Sequence, residues 1–225
     1  MTQPLVTCIT PTANRQKYLP YAIQYFLDQN YKNSEMVIID DGSSSCESLI
    51  PNDDRIHYFY FSQPLGTIGV KRNIACEKAN GEIILHWDDD DWYAHDWISK
   101  QVEAQINSGA DITGLNIVDF YSPTVNKRWR YEDTDLDKPW LCGATMGFRK
   151  SFWEQHKFVD LQVGEDYDFV WNSGGKVFAL DYHNGFVSIL HQHNTSLKPI
   201  ENPAHKKHAL SWEDGKNQIE NDESL

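Results

Sequence analysis

Long apolar segments and paired cysteines are both missing from this chain of 225 residues. No stretch reaches the roughly 18–20 apolar residues that cross a bilayer, so the sequence predicts no membrane span. The four cysteines, Cys8, Cys46, Cys76 and Cys142, form no CxxC pair, and the apolar surroundings of Cys8 and Cys76 predict buried thiols. Residues 1–10 lack a basic segment before their short apolar run, which predicts a first strand rather than a signal peptide. Together these absences favour a reducing, cytoplasmic setting.

Positive charge is also scarce, with 20 Lys and Arg against 33 Asp and Glu and a formal net charge of −13. A protein that binds a phosphate backbone needs a basic face, so the charge disfavours nucleic acid as a partner. Part of the acidic excess lies in residues 213–225, and part lies in segments that could bind a cation. With 40% hydrophobic residues the chain can bury one core, which predicts a single domain. The sequence carries no signal for oligomeric state.

Short apolar runs alternate with segments of helical spacing through the first half of the chain. The predicted strands cover residues 5–10, 35–39, 56–61 and 82–85, and the predicted helices cover residues 17–29, 67–80 and 95–108. This alternation predicts an α/β fold with a mostly parallel central sheet and helices on both faces. Ligands of such sheets bind beyond the carboxyl ends of the strands, so Pro11-Thr12, Asp40-Asp41 and residues 88–91 are expected to share one crevice.

The second half of the chain is less regular. Its pattern predicts a strand over 111–121, a hairpin or flexible flap over 122–139, a strand over 143–149, a short helix over 151–156 and a helix that opens at 166–171. Residues 177–180 and 186–190 are predicted to be paired strands. From residue 198 onward the chain is polar.

Four adjacent carboxylates, Asp88 to Asp91, follow the apolar run 82–85 and are flanked by bulky aromatic residues. Adjacent carboxylates repel one another unless a counter-ion neutralises them. Because alternate residues of an extended segment share a face, we expect Asp88 and Asp90 to pair, with Asp89 or Asp91 turned to other contacts. Oxygen ligands favour a hard divalent cation, Mg²⁺ or Mn²⁺, which takes further ligands from a phosphorylated substrate. The alternative is a solvated acidic turn, which the apolar flanks disfavour.

Two other acidic segments have a functional and a structural interpretation. Asp40 and Asp41 end a predicted strand, where a carboxylate can accept a hydrogen bond from a base or a ribose. An Asx turn or a helix cap is the alternative. Glu165 and Asp166 begin a predicted helix, where they are either a general base at the mouth of the crevice or ordinary capping residues.

Cationic groups and imidazoles also lie next to predicted strand and helix ends. Gly66 precedes a predicted helix that carries Lys71 and Arg72 in its first turns. Such a segment can contact a pyrophosphate through backbone N–H groups and a guanidinium, and the alternative is a helix start with surface basic residues. His191 and His193 follow an apolar strand and could contact a metal or a phosphate, although a lone histidine more often has a structural role.

Taken together, these segments resemble the family 2 glycosyltransferases of the GT-A fold, which are inverting enzymes that use nucleotide sugars. The resemblance covers residues 5–198, with the motifs in the family's order and at fitting intervals. The matching positions are Pro11-Thr12, Asn14-Arg15, Tyr18-Leu19, Ile38 to Ser43, Gly66, Arg72-Asn73, Gly81-Glu82, the DxD motif Asp88-Asp89-Asp90, Gly164-Glu165-Asp166, His191 and Asn194 to Ser196. The chain departs from the family at His95 and at His193, and the second departure leaves both His191 and His193 as candidates.

The resemblance implies a role for each matching position. The positions implied to surround the nucleotide sugar are Pro11, Thr12, Arg15, Asp40, Asp41, Gly66, Arg72, Asn73, Asp88 and Asp89. Within this set Pro11, Thr12 and Arg15 would lie around the base and Asp41 would bind its edge, while Arg72 would approach the ribose or diphosphate. The positions implied to hold a divalent cation, Mn²⁺ or Mg²⁺, are Asp90, Asp88 and His191. Asp166 would be the catalytic base, with Glu165 supporting it or binding the acceptor.

The resemblance also implies how the chain is organised. A single GT-A domain would span residues 1–198, followed by a polar acidic tail over 199–225. The nucleotide-sugar-binding half would cover 1–110, and an acceptor-binding half with a smaller mixed sheet would cover 111–198. Three aromatic residues of that second half are candidates for stacking on a sugar, namely Trp140, Trp171 and Tyr182.

The implied function is metal-dependent transfer of a sugar, with inversion, from a nucleoside-diphosphate sugar to the hydroxyl of a glycan or other acceptor. One alternative is a nucleotidyltransferase that makes sugar nucleotides. Such enzymes carry a glycine-rich basic loop after the first strand, where this chain has residues 11–15 without a glycine. The other alternative is a non-catalytic protein that binds nucleotide sugars or glycans, which the intact Asp88, Asp90 and Asp166 disfavour.

Overall fold

The computed structural model describes residues 3–133, 140–195 and 217–218, which form two sheets with helices around them. The strands are β1 (Val6–Thr12), β2 (Ser34–Asp40), β3 (Ile56–Tyr60), β4 (Ile83–His86), β5 (Trp92–Tyr93), β6 (Ile112–Gly114), β7 (Ile117–Ser122), β8 (Lys127–Glu132), β9 (Gly147–Arg149), β10 (Val177–Ala179), β11 (Phe186–Ile189) and β12 (Asn217–Gln218). The helices are α1 (Leu19–Leu27), α2 (Ile68–Lys78), α3 (Trp97–Ser108), α4 (Lys150–Trp153) and α5 (Glu165–Asn172).

The larger sheet has seven strands in the order β10-β6-β9-β4-β1-β2-β3. The four strands β1 to β4 are parallel, and β9 lies antiparallel between β4 and β6. The carboxyl ends of β1, β2 and β4 therefore point to the same edge of the sheet, as the alternating pattern predicted. The second sheet has the order β12-β8-β7-β11-β5 and begins directly after the acidic run.

Buried apolar side chains form a core on each face of the larger sheet. One core includes Phe26 of α1 and Trp97 of α3, and the other includes Ala75 of α2 and Phe169 of α5. Burial of an apolar side chain of this size contributes about 1.5–3 kcal/mol before the entropy cost of ordering it. The prediction of helices on both faces is confirmed.

Local chemistry explains where two of the helices begin and end. The hydroxyl of Thr67 accepts a hydrogen bond from the backbone N–H of Val70, which caps the first turn of α2. Gly109 ends α3 with a φ of 62°, a left-handed conformation that costs glycine little. The first cap fixes the start of α2 after β3, and the second turns the chain from α3 toward β6.

The secondary structure predicted for the second half of the chain was partly wrong. The predicted strand over 111–121 is two strands, because the chain leaves β6 of the larger sheet and enters β7 of the second sheet. The predicted strand over 143–149 begins as a 3₁₀ turn, Gly143–Thr145, before β9. Residues 177–180 and 186–190 do not pair with each other, because β10 pairs with β6 while β11 pairs with β5 and β7.

A hairpin is formed by β7 and β8, which pair antiparallel from Ser122↔Lys127 to Ile117↔Glu132, so it begins before the segment 122–139 for which a hairpin or flap was predicted. Residues 134–139 of that segment lie outside the described residues, as do residues 196–198 of the predicted domain and residues 199–216 and 219–225 of the predicted tail. The four cysteines are buried. Among the described residues, no helix is both long and apolar enough to span a bilayer.

Candidate active site

A cavity of about 550 Å³ opens at the carboxyl ends of β1 and β4. The end of β1 contributes Pro11 and Thr12, the segment after β4 contributes Asp88 to Asp91, and the start of α5 contributes Glu165 and Asp166. α2 adds Lys71 and Arg72 to the lining. One cavity therefore collects most of the predicted site residues from four separate segments, which places carboxylates and cations within one concave space.

Three carboxylates of the acidic run converge on one point. Ligand oxygens of Asp88, Asp90 and Asp91 lie within 4.8 Å of one another. Asp89 turns away and accepts hydrogen bonds from the hydroxyl of Thr12 at 2.5 Å and from Nη1 of Arg15 at 2.7 Å. The expected pair Asp88 and Asp90 is thus brought together, and Asp91 joins it, because a turn at 89–91 replaces the extended backbone on which strict alternation depends.

The carboxylates of this run carry more negative charge than their surroundings readily stabilise. Burial raises the pKa of Asp89 to about 6, although Arg15 opposes the shift. Burial also raises the pKa of Asp91 well above its ordinary value, and repulsion from Asp90 and Asp88 adds to the increase. The pKa of Asp88 is raised by burial too, against the opposing charge of Arg72.

The donor set fits a hard divalent cation. Its three ligand groups, Asp88, Asp90 and Asp91, are all carboxylates, and their oxygens converge. The pKa values of Asp88 and Asp91 are raised, and a +2 ion would offset the repulsion among the three negative charges. Oxygen-only ligands of this kind suit Mg²⁺ and Mn²⁺ better than softer metals.

Arg15 lies against this cluster. Its Nη1 donates to Asp89 at 2.7 Å and to Asp90 at 2.8 Å, and its Nη2 donates to the carbonyl of His193 at 2.7 Å. Burial alone would lower the pKa of Arg15, but Asp89 and Asp90 raise it above its ordinary value. In this conformation Arg15 neutralises the acidic cluster, whereas the family resemblance implied a position beside the base.

His191 reaches the cluster from the segment after β11. Its ring stacks on Tyr18 with centroids 4.4 Å apart, and its Nδ1 accepts the backbone N–H of His193 at 3.1 Å. Nε2 therefore carries the proton and donates to Asp90 at 3.1 Å. Nδ2 of Asn194 donates to the same oxygen at 3.2 Å. Of the two candidate histidines, His191 is the one whose ring contacts Asp90, through a hydrogen bond from Nε2. The role of His191 as a metal ligand stays a prediction.

Arg72 forms a buried ion pair with Glu165. Its Nη1 donates to Oε1 of Glu165, and its Nη2 lies 3.7 Å from Oδ1 of Asp88. Burial raises the pKa of Glu165, and Arg72 opposes that shift. Nε of Arg72 is buried and makes no hydrogen bond within the described part of the chain. Glu165 therefore holds the guanidinium of Arg72 in place, between the acidic cluster and the start of α5.

Asp166 follows Glu165 and lines the same cavity. Its Oδ1 accepts the backbone N–H of Tyr167 at 2.8 Å, and its charge acts on both Arg72 and Asp88. The side chain is half-buried, and its Oδ2 lies against Gly143 at the cavity wall. Of these two neighbouring carboxylates, Glu165 is ion-paired with Arg72, whereas Asp166 lines the cavity without such a close ion pair to any described residue.

Four predicted donor-site residues are not among the described residues that line the cavity: Asp40, Asp41, Gly66 and Asn73. Asp40 is fully buried and accepts hydrogen bonds from the N–H groups of Gly42 and Cys46 and from the hydroxyl of Tyr58, which matches the Asx-turn alternative. Asn73 binds the indole of Trp153 and the carbonyl of Phe158. Asp41 is ion-paired with Lys71, and it is Lys71 that lines the cavity at this position.

Of the aromatic candidates for sugar stacking, Trp140 lines the cavity. Trp171 packs against the core beside α5, and the hydroxyl of Tyr182 donates to Asp96 while its ring stacks on Trp97. The sequence analysis did not count Asp91 among the metal ligands, and it named Lys71 only as part of a segment that can contact a pyrophosphate. The sequence did carry signals for both, since Asp91 continues the acidic run and Lys71 precedes Arg72.

Comparison with known proteins agrees with this geometry. The sequence model described as "Glycosyl transferase family 2" matches residues 7–168. The chain is 36% identical over 219 residues to the GalNAc(5)-diNAcBac-PP-undecaprenol beta-1,3-glucosyltransferase of Campylobacter jejuni, an alignment that covers 88% of this chain and 69% of the relative.

Two solved structures share the fold at low sequence identity. TarS of S. aureus, in complex with UDP-GlcNAc, superposes with a TM-score of 0.66 at 15% identity, covering 85% of this chain and 60% of that one. The mannosyltransferase PcManGT of Pyrobaculum calidifontis, in complex with GDP-Man and Mn²⁺, superposes with a TM-score of 0.67 at 16% identity, covering 87% and 59%.

The chain spans less than half the length of several other curated relatives, with alignments that cover 48%, 42% and 17% of them. The family match nevertheless runs from β1 into α5 and includes the acidic run and Asp166. The chain belongs to glycosyl transferase family 2 and has the GT-A fold.

Proposed function

We propose that the protein transfers a sugar from a nucleoside-diphosphate sugar to an acceptor hydroxyl, with a divalent cation and with inversion at the anomeric carbon. The observation that carries the proposal is the single cavity that holds the converging carboxylates, the cations Lys71 and Arg72, and Asp166. A donor of this class needs all three: a metal ligand set, positive charge for the diphosphate, and a base for the acceptor.

Asp88, Asp90 and Asp91 would hold Mn²⁺ or Mg²⁺. The bound cation would supply positive charge that stabilises the departing nucleoside diphosphate. Arg72 supports the same task, because Glu165 fixes its guanidinium near Asp88 and the buried Nε still has a hydrogen to donate. His191 and Asn194 donate to Asp90 and so orient that carboxylate, as outer hydrogen bonds do at metal sites.

Asp166 would act as the general base. The acceptor oxygen forms a bond to the anomeric carbon, its proton passes to the carboxylate of Asp166, and the bond from the anomeric carbon to the diphosphate oxygen breaks. Attack from the side opposite the leaving group inverts the anomeric centre. A positioned base of this kind contributes about 10²–10⁴-fold to the rate.

The donor classes that deserve testing first are uridine and guanosine diphosphate sugars, since TarS binds UDP-GlcNAc and PcManGT binds GDP-Man. A glycan hydroxyl is the proposed acceptor, in keeping with the printed activity of the Campylobacter relative. The buried thiols suit a reducing compartment, which supports the cytoplasm as the site of the reaction.

A donor screen tests the proposal without knowledge of the acceptor. Slow release of nucleoside diphosphate from one member of a UDP- and GDP-sugar panel is expected in Mn²⁺ or Mg²⁺ and is expected to disappear in EDTA. The Asp166→Asn variant should still bind the nucleotide but lose transfer to an acceptor. Pyrophosphate release from a nucleoside triphosphate and a sugar phosphate would support the nucleotidyltransferase alternative, and nucleotide binding without any turnover would support the non-catalytic one.

A further inference from the structure

Gly143 lies directly beneath the carboxylate of Asp166. A Cβ atom built on Gly143 would overlap Oδ2 of Asp166 and would lie 2.9 Å from its Cγ and 3.1 Å from its Cβ. The φ angle of Gly143 is outside the left-handed region, so an alanine could adopt this backbone. The requirement for glycine at 143 therefore comes from the space that Asp166 occupies.

The backbone beneath Asp166 is held from several sides. His86, the last residue of β4, donates from Nδ1 to the carbonyl of Gly143 at 2.6 Å and is buried against Phe148. The hydroxyl of Thr145 accepts the N–H of Leu115 at 2.9 Å and donates to the carbonyl of Cys142 at 2.8 Å. A side chain added at 143 would meet a fixed turn below and the short side chain of Asp166 above, so Asp166 is the part that would move.

The geometry points to Gly143 as a positioning residue for Asp166, which sets the place of the proposed base in the cavity. This inference rests on the proposed function, because it assigns a purpose to the position of Asp166 only if that carboxylate takes the acceptor proton. Gly143 itself touches no reacting atom. It acts through the absence of a Cβ, which lets Oδ2 of Asp166 pack against the turn while the residue lines the cavity.

The first test is Gly143→Ala, assayed with the donor that the screen identifies. Transfer kcat is expected to fall about 10²–10⁴-fold, the range for loss of a general base, while the donor KM changes less than about twofold. Gly114→Ala is the matched control, because the three atoms nearest a Cβ there are side-chain atoms of Leu141 and Thr145 at 3.3–3.4 Å and none belongs to Asp166. Wild-type kcat in Gly143→Ala would overturn the inference if Asp166→Asn is inactive.

A double-variant cycle separates positioning from general damage. If Gly143 acts through Asp166, Gly143→Ala adds no further loss of kcat to Asp166→Asn. An additional loss as large as that of Gly143→Ala alone would overturn the inference. Full activity of Asp166→Asn would instead remove Asp166 as the base, which is a failure of the proposed function and is distinguishable from the outcome above.

Stability gives a measurement that does not depend on activity. Gly143→Ala is expected to lower the melting temperature of the wild-type chain but not that of Asp166→Ala, because the new methyl group then enters the space left by the carboxylate. An equal drop in melting temperature in both backgrounds would show that the two residues do not compete for space, and would overturn the inference even if Gly143→Ala folds poorly.

Discussion

Buried carboxylates at the two edges of the larger sheet differ in how their negative charge is stabilised. At the amino-terminal edge, Glu35 of β2 is alone and accepts hydrogen bonds from Thr7, from the backbone and side chain of Asn80, and from His57. At the carboxyl-terminal edge, Asp88, Asp90 and Asp91 bring their ligand oxygens within 4.8 Å of one another.

The pKa values follow this difference. Burial alone would raise the pKa of Glu35, but the donors from Asn80 and Thr7 outweigh it and hold the pKa below its ordinary value. At the other edge burial prevails, and the pKa values of Asp88, Asp89 and Asp91 are raised. An edge that satisfies its carboxylate contributes stability, whereas the other edge retains unsatisfied charge for a ligand to neutralise.

The largest expected effect comes from removing one charge of the crowded edge. Asp90→Asn should lower sugar transfer at least ~10³-fold, since a catalytic cation contributes several kcal/mol to transition-state stabilisation. The same change should not lower the melting temperature, because it relieves repulsion among the carboxylates. Transfer at more than a tenth of the wild-type rate would contradict the assigned role of Asp90.

Removing the internal counter-ion of that edge should have the next largest effect. Arg15→Ala leaves Asp89 and Asp90 without their closest cation and should cost about 3 kcal/mol of unfolding free energy in EDTA. Mn²⁺ should add more unfolding free energy to this variant than to the wild type, because in the variant the ion no longer competes with the Arg15 guanidinium for the carboxylates.

Urea unfolding with and without Mn²⁺ measures both effects of Arg15→Ala. Lys100→Ala is the control, since its ion pair with Glu103 is exposed and should contribute less than about 1 kcal/mol. An equal loss for Arg15→Ala in EDTA and in saturating Mn²⁺ would show that the cation does not take over the task of Arg15.

The satisfied edge should give a smaller effect with a defined pH dependence. Glu35→Gln should cost about 1–2 kcal/mol near pH 7, because hydrogen bonds to a charged group are lost. The folded-state pKa of Glu35 is depressed, so its contribution is complete above the unfolded-state pKa and is lost as the pH falls through the folded-state value. The difference in stability between wild type and variant should therefore shrink below about pH 4.3.

Glu77→Gln is the matched control for Glu35, because its pair with Lys157 is more than half exposed and should contribute less than about 0.5 kcal/mol. Unfolding titrations from pH 3 to pH 7 compare the two variants. A Glu35→Gln effect that grows toward low pH would contradict the sign of the pKa shift.

The sequence was a good guide to the first half of the chain because its strands are local apolar runs with helices between them. Parallel connections then bring the ends of β1, β2 and β4 to one edge without further information. The second half could not be predicted as well, since the partner of a short strand such as β10 or β11 depends on which sheet the chain enters.

The site shows the same division. The convergence of Asp88, Asp90 and Asp166 on one cavity agrees with the motif order, and Asp40 makes the local turn that the sequence analysis gave as an alternative. Two other features depend on tertiary packing. Arg15 lies on the acidic cluster. The space beneath Asp166 is left by a glycine that no motif marks.

The most direct test of the account is the melting temperature of the protein with the nucleoside diphosphate selected by the donor screen, measured in Mn²⁺, in Mg²⁺ and in EDTA. The account predicts stabilisation by the nucleotide only when a cation is present, and loss of that stabilisation in Asp90→Asn. Equal stabilisation in EDTA would contradict the central claim that carboxylates at the sheet edge hold a cation that binds the diphosphate.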